Sequence, residues 1–149
     1  SASHTVLPTV LGEAAALEVY GAEHPDEHPW VRRVVEPTAK SRTHFRARMS
    51  GFDHQFVCDQ GYYAFVCVAP WLNSELPRGL VFDDGRGHRV DRIENSNDLS
   101  SYLTNRFGIA VVPGVPFHQP DFIRFSLANT PDYTASAVAR FDEALRSLE

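Results

Sequence analysis

Residues 108–127, GIAVVPGVPFHQPDFIRFSL, constrain the fold of this 149-residue chain more than any other stretch. Residues 109–112 predict a short apolar strand and Pro113–Gly114 a turn. A loop then runs to Pro120, and residues 122–127 predict a second strand. The second strand carries one charge, Arg124, in an otherwise apolar run. Arg is rarely buried without a partner, because desolvating a guanidinium costs several kcal/mol unless an anion answers it. Its planar five-donor fork suits a carboxylate held bidentately. Two accounts are therefore open. Arg124 either binds a carboxylate from a rigid strand, or it sits in water or beside a nearby acid such as Asp121. From the strand alone the second is the more ordinary.

The rest of the chain supplies helices around these strands. Residues 130–148 carry the clearest helix signal: Thr130 as N-cap, Pro131 at the first helical position and Asp132 in the first turn. Tyr133 or Thr134, with Ala137, Val138, Phe141, Leu145 and Leu148, makes its core stripe. Residues 96–107 predict a shorter helix, capped by Ser96 or Asn97 and ended by Gly108. Residues 56–58 and 61–68 read as strands. Residues 30–49 are helical, with Trp30, Val34 or Val35, Ala39, Phe45 and Met49 near one face. Pro37 there predicts a kink or two helices meeting, and Gly51 an end. An apolar, Ala-rich helix is expected over residues 6–20, ended by Gly21. Between the strands and the second helix, residues 80–82 and 89–93 suggest a hairpin turning through Asp84–Gly85. The expected fold is α+β: a small mixed or antiparallel sheet with helices packed on one face. Residues 1–29 form an N-terminal helix and connection, and residues 30–149 the main domain.

Composition narrows the function. The chain is 43% hydrophobic and 22% charged, as a folded domain with its own core requires. With a net charge of −5 and no basic patch, nucleic acid is not an expected partner. Arg32, Arg33, Arg42, Arg46 and Arg48 read as a solvated helix face. No apolar run approaches the roughly 18 residues of a membrane span, and no signal-peptide pattern opens the chain. The expectation is a cytoplasmic protein with no membrane partner. A chain beginning at Ser1 is expected to be a processed product or a fragment.

Chemically active residues are few. Lys40 is the sole lysine, so any Schiff base formed by this polypeptide alone would use it. Cys58 and Cys67 lie in neighbouring predicted strands, where inert buried thiols are the default over a thiol dyad. Ser1 as an N-terminal nucleophile is the remaining formal alternative. His24 and His28, with Glu23, Asp26 and Glu27, match no closed metal-site spacing and read as an acidic loop. Asp83, Asp84, Asp91 and Glu94 alternate with Arg86, Arg89 and Arg92, the pattern of a solvent-facing turn. The GRG at 85–87 lacks the spacing of a phosphate loop.

VVPGVPF, a short gap and DFIRFSLA resemble the C-terminal small domain of the fold-type I, PLP-dependent aminotransferases of class I/II. In that family a strand reading roughly gVavvPG is followed by F and then by yIRls-a. The match falls on Pro113, Gly114, Phe117 and Arg124. GYYAFVCV, residues 61–68, resembles the family's GgfFafvdl strand. The long Arg-rich helix, the helix that leads into the PG strand and the C-terminal helix follow the same order. At position 118, where the family often has Gly, this chain has His. Residues 69–95 exceed the usual length and read as an insertion.

The resemblance implies that Arg124 binds the α-carboxylate of an amino-acid substrate, with Phe117 and Gly114 also at the substrate. It raises the carboxylate account of Arg124 above the ordinary one. His118, Asp121 and Tyr62 are the catalytic candidates nearest these motifs, with loop decoration or sheet packing as their ordinary reading. The family's PLP lysine lies in a Ser-x-Ser-Lys-like segment of a large domain. Its pyridine-nitrogen Asp and its phosphate-binding groups lie there too, and none has a counterpart here. Lys40, in EPTAKSR, stands where the family has no cofactor lysine. PLP is thus implied only if a large domain or partner chain supplies that lysine; otherwise no cofactor is expected. The partners implied are an amino acid or other carboxylate, with a PLP-binding large domain or a homodimer mate. Two alternatives stay open: a free-standing, PLP-independent domain that binds or transforms a carboxylated small molecule, and a non-catalytic partner-binding module.

Overall fold

Strand alternation decides the architecture. In the computed structural model, which describes residues 18, 28–50, 56–59, 61–83, 87 and 89–149, four strands form an antiparallel sheet. They are β1 (Phe56–Val57), β2 (Tyr63–Cys67), β7 (Val112–Pro113) and β8 (Phe122–Ser126), in the order β1-β2-β8-β7. The register pairs Phe65 with Arg124, Val66 with Ile123 and Val112 with Arg124. Because side chains alternate between the two faces of a strand, Ala64, Val66, Ile123 and Phe125 share the buried face. Two small two-stranded pieces complete the strands. β3 (Ser74–Glu75) pairs with β6 (Arg92–Ile93), and β4 (Phe82–Asp83) with β5 (Arg89–Val90). The hairpin suggested by the sequence is therefore present as β4–β5, while residues 84–86 of its turn lie outside the described residues. The second arm divides at Asp91, so that β5 and β6 serve different partners.

Three helices are described. α1 spans Pro29–Met49, α2 Ser96–Phe107 and α3 Pro131–Arg146. α1 is one helix through Pro37, so the expected meeting of two helices does not occur. Proline removes one intrahelical bond there, and the buried anchors Ser41, Phe45 and Met49, four residues apart, hold the following turns to the core. Val34 and Val35 are exposed and do not join that stripe. The chain divides into two compact units, 1–37 and 38–149. In the first, His28 Nε2 lies 3.4 Å from a Glu18 carboxylate oxygen. The expected helix over 6–20, apart from Glu18, and the acidic loop, apart from His28, lie outside the described residues.

α2 spans the expected residues, but its cap lies one residue before Ser96. Asn95 is the N-cap, its side chain accepting from the N–H groups of Asn97 and Asp98, while Asp98 accepts from the Asn95 N–H. This reciprocal box uses an amide and a carboxylate, and it leaves Ser96 as a buried first helical residue. Gly108 ends α2 at φ 63°, the left-handed conformation that glycine adopts without Cβ strain. The strand expected over 109–112 is shorter, because Ile109 turns into the core and pairing starts at Val112. α3 follows its predicted cap: Thr130 Oγ1 accepts from the Tyr133 N–H. Its core stripe holds Thr134, Val138, Phe141, Ala144 and Leu145, while Tyr133 stays exposed.

Aromatic rings join the helices to the buried face of the sheet. Phe125 of β8 lies 5.5 Å from Phe45 of α1 and 5.0 Å from Phe141 of α3, centroid to centroid, and Phe45 also meets the Phe56 ring. The arginines of α1 are not uniformly solvated. Arg46 donates to the Cys58 carbonyl and pairs with Asp59 at 2.7 Å, and Arg42 donates to the Gly61 carbonyl. They hold the β1–β2 connection to the helix. Burial raises the Cys58 thiol above its ordinary pKa, with Arg46 and Arg42 pulling the other way. Both cysteines are free.

Two outcomes follow from this packing. Phe45→Ala, at a fully buried ring, is expected to cost about 3–5 kcal/mol in urea unfolding. Iodoacetamide at about pH 8 is expected to label half-buried Cys67 before buried Cys58, read by peptide mass spectrometry.

Candidate functional site

The face of the sheet turned away from α1 and α3 carries the site. The same alternation that buries Ile123 and Phe125 places Phe122, Arg124 and Ser126 on this face of β8. The register adds Tyr63, Phe65 and Cys67 from β2, and Val112 from β7. Arg124 stands in the middle strand pair, flanked by Phe65 on one side and Val112 on the other. Its Cζ lies 4.1 Å from the centroid of the Tyr63 ring and 4.6 Å from that of Phe117. The guanidinium thus makes two cation–π contacts, each worth roughly 0.5–2 kcal/mol, which fix its plane.

Phe117 reaches Arg124 because of the loop that carries it. Gly114 caps a 3-10 turn, Val115–Phe117; its N–H donates to the Phe122 carbonyl, and its own carbonyl accepts from Phe117 and Gln119. A Cβ at Gly114 would collide with the carbonyl oxygens of Gln119 and Phe122. The position needs glycine for clearance, since its φ of −78° is open to any residue. The Phe117 ring also packs edge-on against Phe65, 5.7 Å away.

Among the described residues no carboxylate lies within ion-pair distance of Arg124, and its Nε is buried without a hydrogen-bond partner. The pair with Asp121, one form of the ordinary account, is not formed. Asp121 is exposed, and its main-chain carbonyl accepts from the Val68 N–H at 2.7 Å, extending the β2–β8 ladder. A half-buried guanidinium with an unsatisfied donor on an apolar face has the chemistry to pair with an anion.

The other sequence candidates fall as follows. Tyr62 is half exposed, its ring 4.3 Å from that of Tyr63. Its phenol is pushed above the ordinary tyrosine range by a hydrogen bond to Tyr63 and by Tyr63's charge, with Arg124 opposing most weakly. Its hydroxyl can donate a hydrogen bond. His118 is exposed at φ 57° and closes the 3-10 turn, its N–H donating to the Val115 carbonyl. The left-handed backbone is a conformation that glycine adopts without Cβ strain. No hydrogen bond or ion pair joins His118, Asp121 and Arg124 among the described residues. Phe65 was not singled out by the sequence. Its position two residues from Tyr63 is the signal, but only the register shows that it lies beside Arg124. Among the described residues no His, Cys, Asp and Glu gather as a metal site. No described helix is long and apolar enough to cross a membrane.

A sequence profile described as aminotransferase class I and II matches residues 2–141. The chain belongs to that family. No curated protein matches it. Among solved structures it is similar to the aspartate aminotransferase of Rhizobium meliloti, at 22% identity and a TM-score of 0.67, over 91% of this chain and 30% of that one. The aromatic aminotransferase of Pyrococcus horikoshii gives 18% and 0.63, over 89% and 30%. The aspartate aminotransferase of Thermotoga maritima gives 19% and 0.57, over 78% and 25%. The chain thus spans under a third of the structures it resembles, and the likeness is one of fold. The family is PLP-dependent. Lys40, the sole lysine, is exposed on α1, the helix packed on the opposite face of the sheet from Arg124. The residues of this chain do not by themselves fit a Schiff-base site.

Gly114→Ala is expected to move the 3-10 turn and lower stability by about 1–3 kcal/mol. Near-ultraviolet circular dichroism would show loss of the Phe117–Arg124–Tyr63 stack.

Proposed function

We propose that this chain is the substrate-carboxylate-binding small domain of a PLP-dependent aminotransferase-like enzyme acting on an amino acid, and that it is incomplete for PLP catalysis by itself. The observation that carries the reading is Arg124, held between two aromatic rings on the open face of the sheet with no carboxylate partner among the described residues. The guanidinium takes the α-carboxylate as a bidentate pair. Phe117 and Tyr63 fix its plane, and Gly114 lets the Phe117 loop close tightly enough to do so. Residues 30–149 form this arm, and residues 1–29 lead into it.

A large domain or partner chain supplies the lysine that carries PLP, and the cofactor provides the electron sink when bound. The open face supports this division. Val57, Tyr62, Tyr63, Val112, Val115 and Phe117 are all more than a third exposed, an apolar surface that another domain would cover. Closure against that domain excludes water from the carboxylate pair and strengthens it. The same surface supports the alternative of a non-catalytic docking module, and amino-acid binding separates the two.

Arg124→Lys keeps the charge but loses the fork, and it is expected to weaken binding of an amino acid by about tenfold or more, measured by calorimetry on the protein with its PLP-bearing partner or domain. Unchanged affinity in Arg124→Lys would remove the residue from the substrate site. Absence of any amino-acid binding by the assembled wild-type protein would favour the docking module.

A further inference from the structure

A second charged site lies elsewhere in the domain. A cleft of about 710 Å³ opens between the 77–80 loop and the C-terminal halves of α2 and α3, and it shares no residue with the Arg124 face. Arg78, Arg106 and Arg140 line it, against a single carboxylate, Glu143. Among the described residues none of these three arginines has a carboxylate within ion-pair distance. Arg140 Nη1 donates to the Phe107 carbonyl at 3.1 Å, which anchors the guanidinium at the C-terminal end of α2, while its Nε is buried with no partner. Leu80 and the rings of Tyr102 and Phe107 form apolar wall, and the Tyr102 hydroxyl is bonded to Ser147 Oγ at 2.8 Å.

In a chain with a net charge of −5, three guanidiniums lining one cleft, none with a carboxylate partner among the described residues, run against the overall sign. A cleft with this excess of guanidinium is an attractive place for an anion. The lining carries two net positive charges, which a phosphate monoester, at about −1.5 to −2 near neutral pH, balances better than a monocarboxylate. Guanidinium forks match phosphate oxygens, and the volume lies in the usual range for small-molecule sites. We propose that this cleft binds a small organic phosphate, with the phosphate between Arg78, Arg106 and Arg140 and the organic part against Leu80, Tyr102 and Phe107. Glu143 faces the same space and repels the anion, so it limits affinity and favours ligands that offer it a hydrogen-bond donor.

The test is calorimetric titration of the full chain with AMP as the organic phosphate, and with adenosine and inorganic phosphate as its two halves. AMP is expected to bind saturably, more tightly than either half, and more weakly as salt is raised. Arg78→Ala and Arg106→Ala, at exposed side chains away from the core, are each expected to weaken AMP about tenfold. Glu143→Gln is expected to tighten it, and Arg124→Ala to leave it unchanged. Failure of AMP to bind at millimolar concentration, or wild-type affinity in both Arg78→Ala and Arg106→Ala, would overturn the site. Equal affinity for inorganic phosphate and AMP would overturn the organic half of the assignment. Loss of AMP binding in Arg124→Ala would place the anion on the other face and overturn it as well.

Discussion

The two faces of β8 hold this structure together. One face, Ile123 and Phe125, locks the sheet to α1 and α3 through the Phe45–Phe125–Phe141 ring contacts. The other, Phe122 and Arg124, is thereby turned outward. A slip of one residue in the β2–β8 register would exchange them, burying a guanidinium without a partner and exposing two core side chains. The cost of that exchange makes the placement of Arg124 as firm as the core itself.

A second layer of constraint shapes the guanidinium's surroundings. Arg42 and Arg46 of α1 bind the Gly61 and Cys58 carbonyls and so set the approach to β2, where Tyr63 begins the strand. On the other side, the clearance at Gly114 permits the tight turn that returns Phe117 over Arg124. Neither device touches a ligand. Both act by positioning aromatic rings whose contacts with the cation are short in range.

Much of the fold was legible in the sequence because it rests on local chemistry. The Thr130–Pro131 start of α3, the Gly108 stop of α2 and the β2 and β8 runs follow from caps, a left-handed glycine and period-two alternation. Family membership was legible for a related reason: PG, F and the Arg-bearing strand are positions where clearance and charge leave little choice. Where the reading missed, one cause was local and one lay in the packing. Asn95 displaced Ser96 as the cap because Asp98 could answer it, and α1 continued through Pro37 because Ser41, Phe45 and Met49 are held by the core.

The candidate site divides along the same line. That Arg124 is an isolated charge in an apolar strand, that Lys40 is the only lysine and that position 114 is glycine are facts of the sequence alone. That Arg124 is free of Asp121 was decided by tertiary structure, as was its place between Tyr63 and Phe117, which are far from each other in sequence. So was the placing of Arg78, Arg106 and Arg140 along the wall of one cleft. The physical reason is common to all three. Ion pairs, ring–cation contacts and the lining of a cleft depend on which remote residues are brought together, and that comes only from strand register and helix packing.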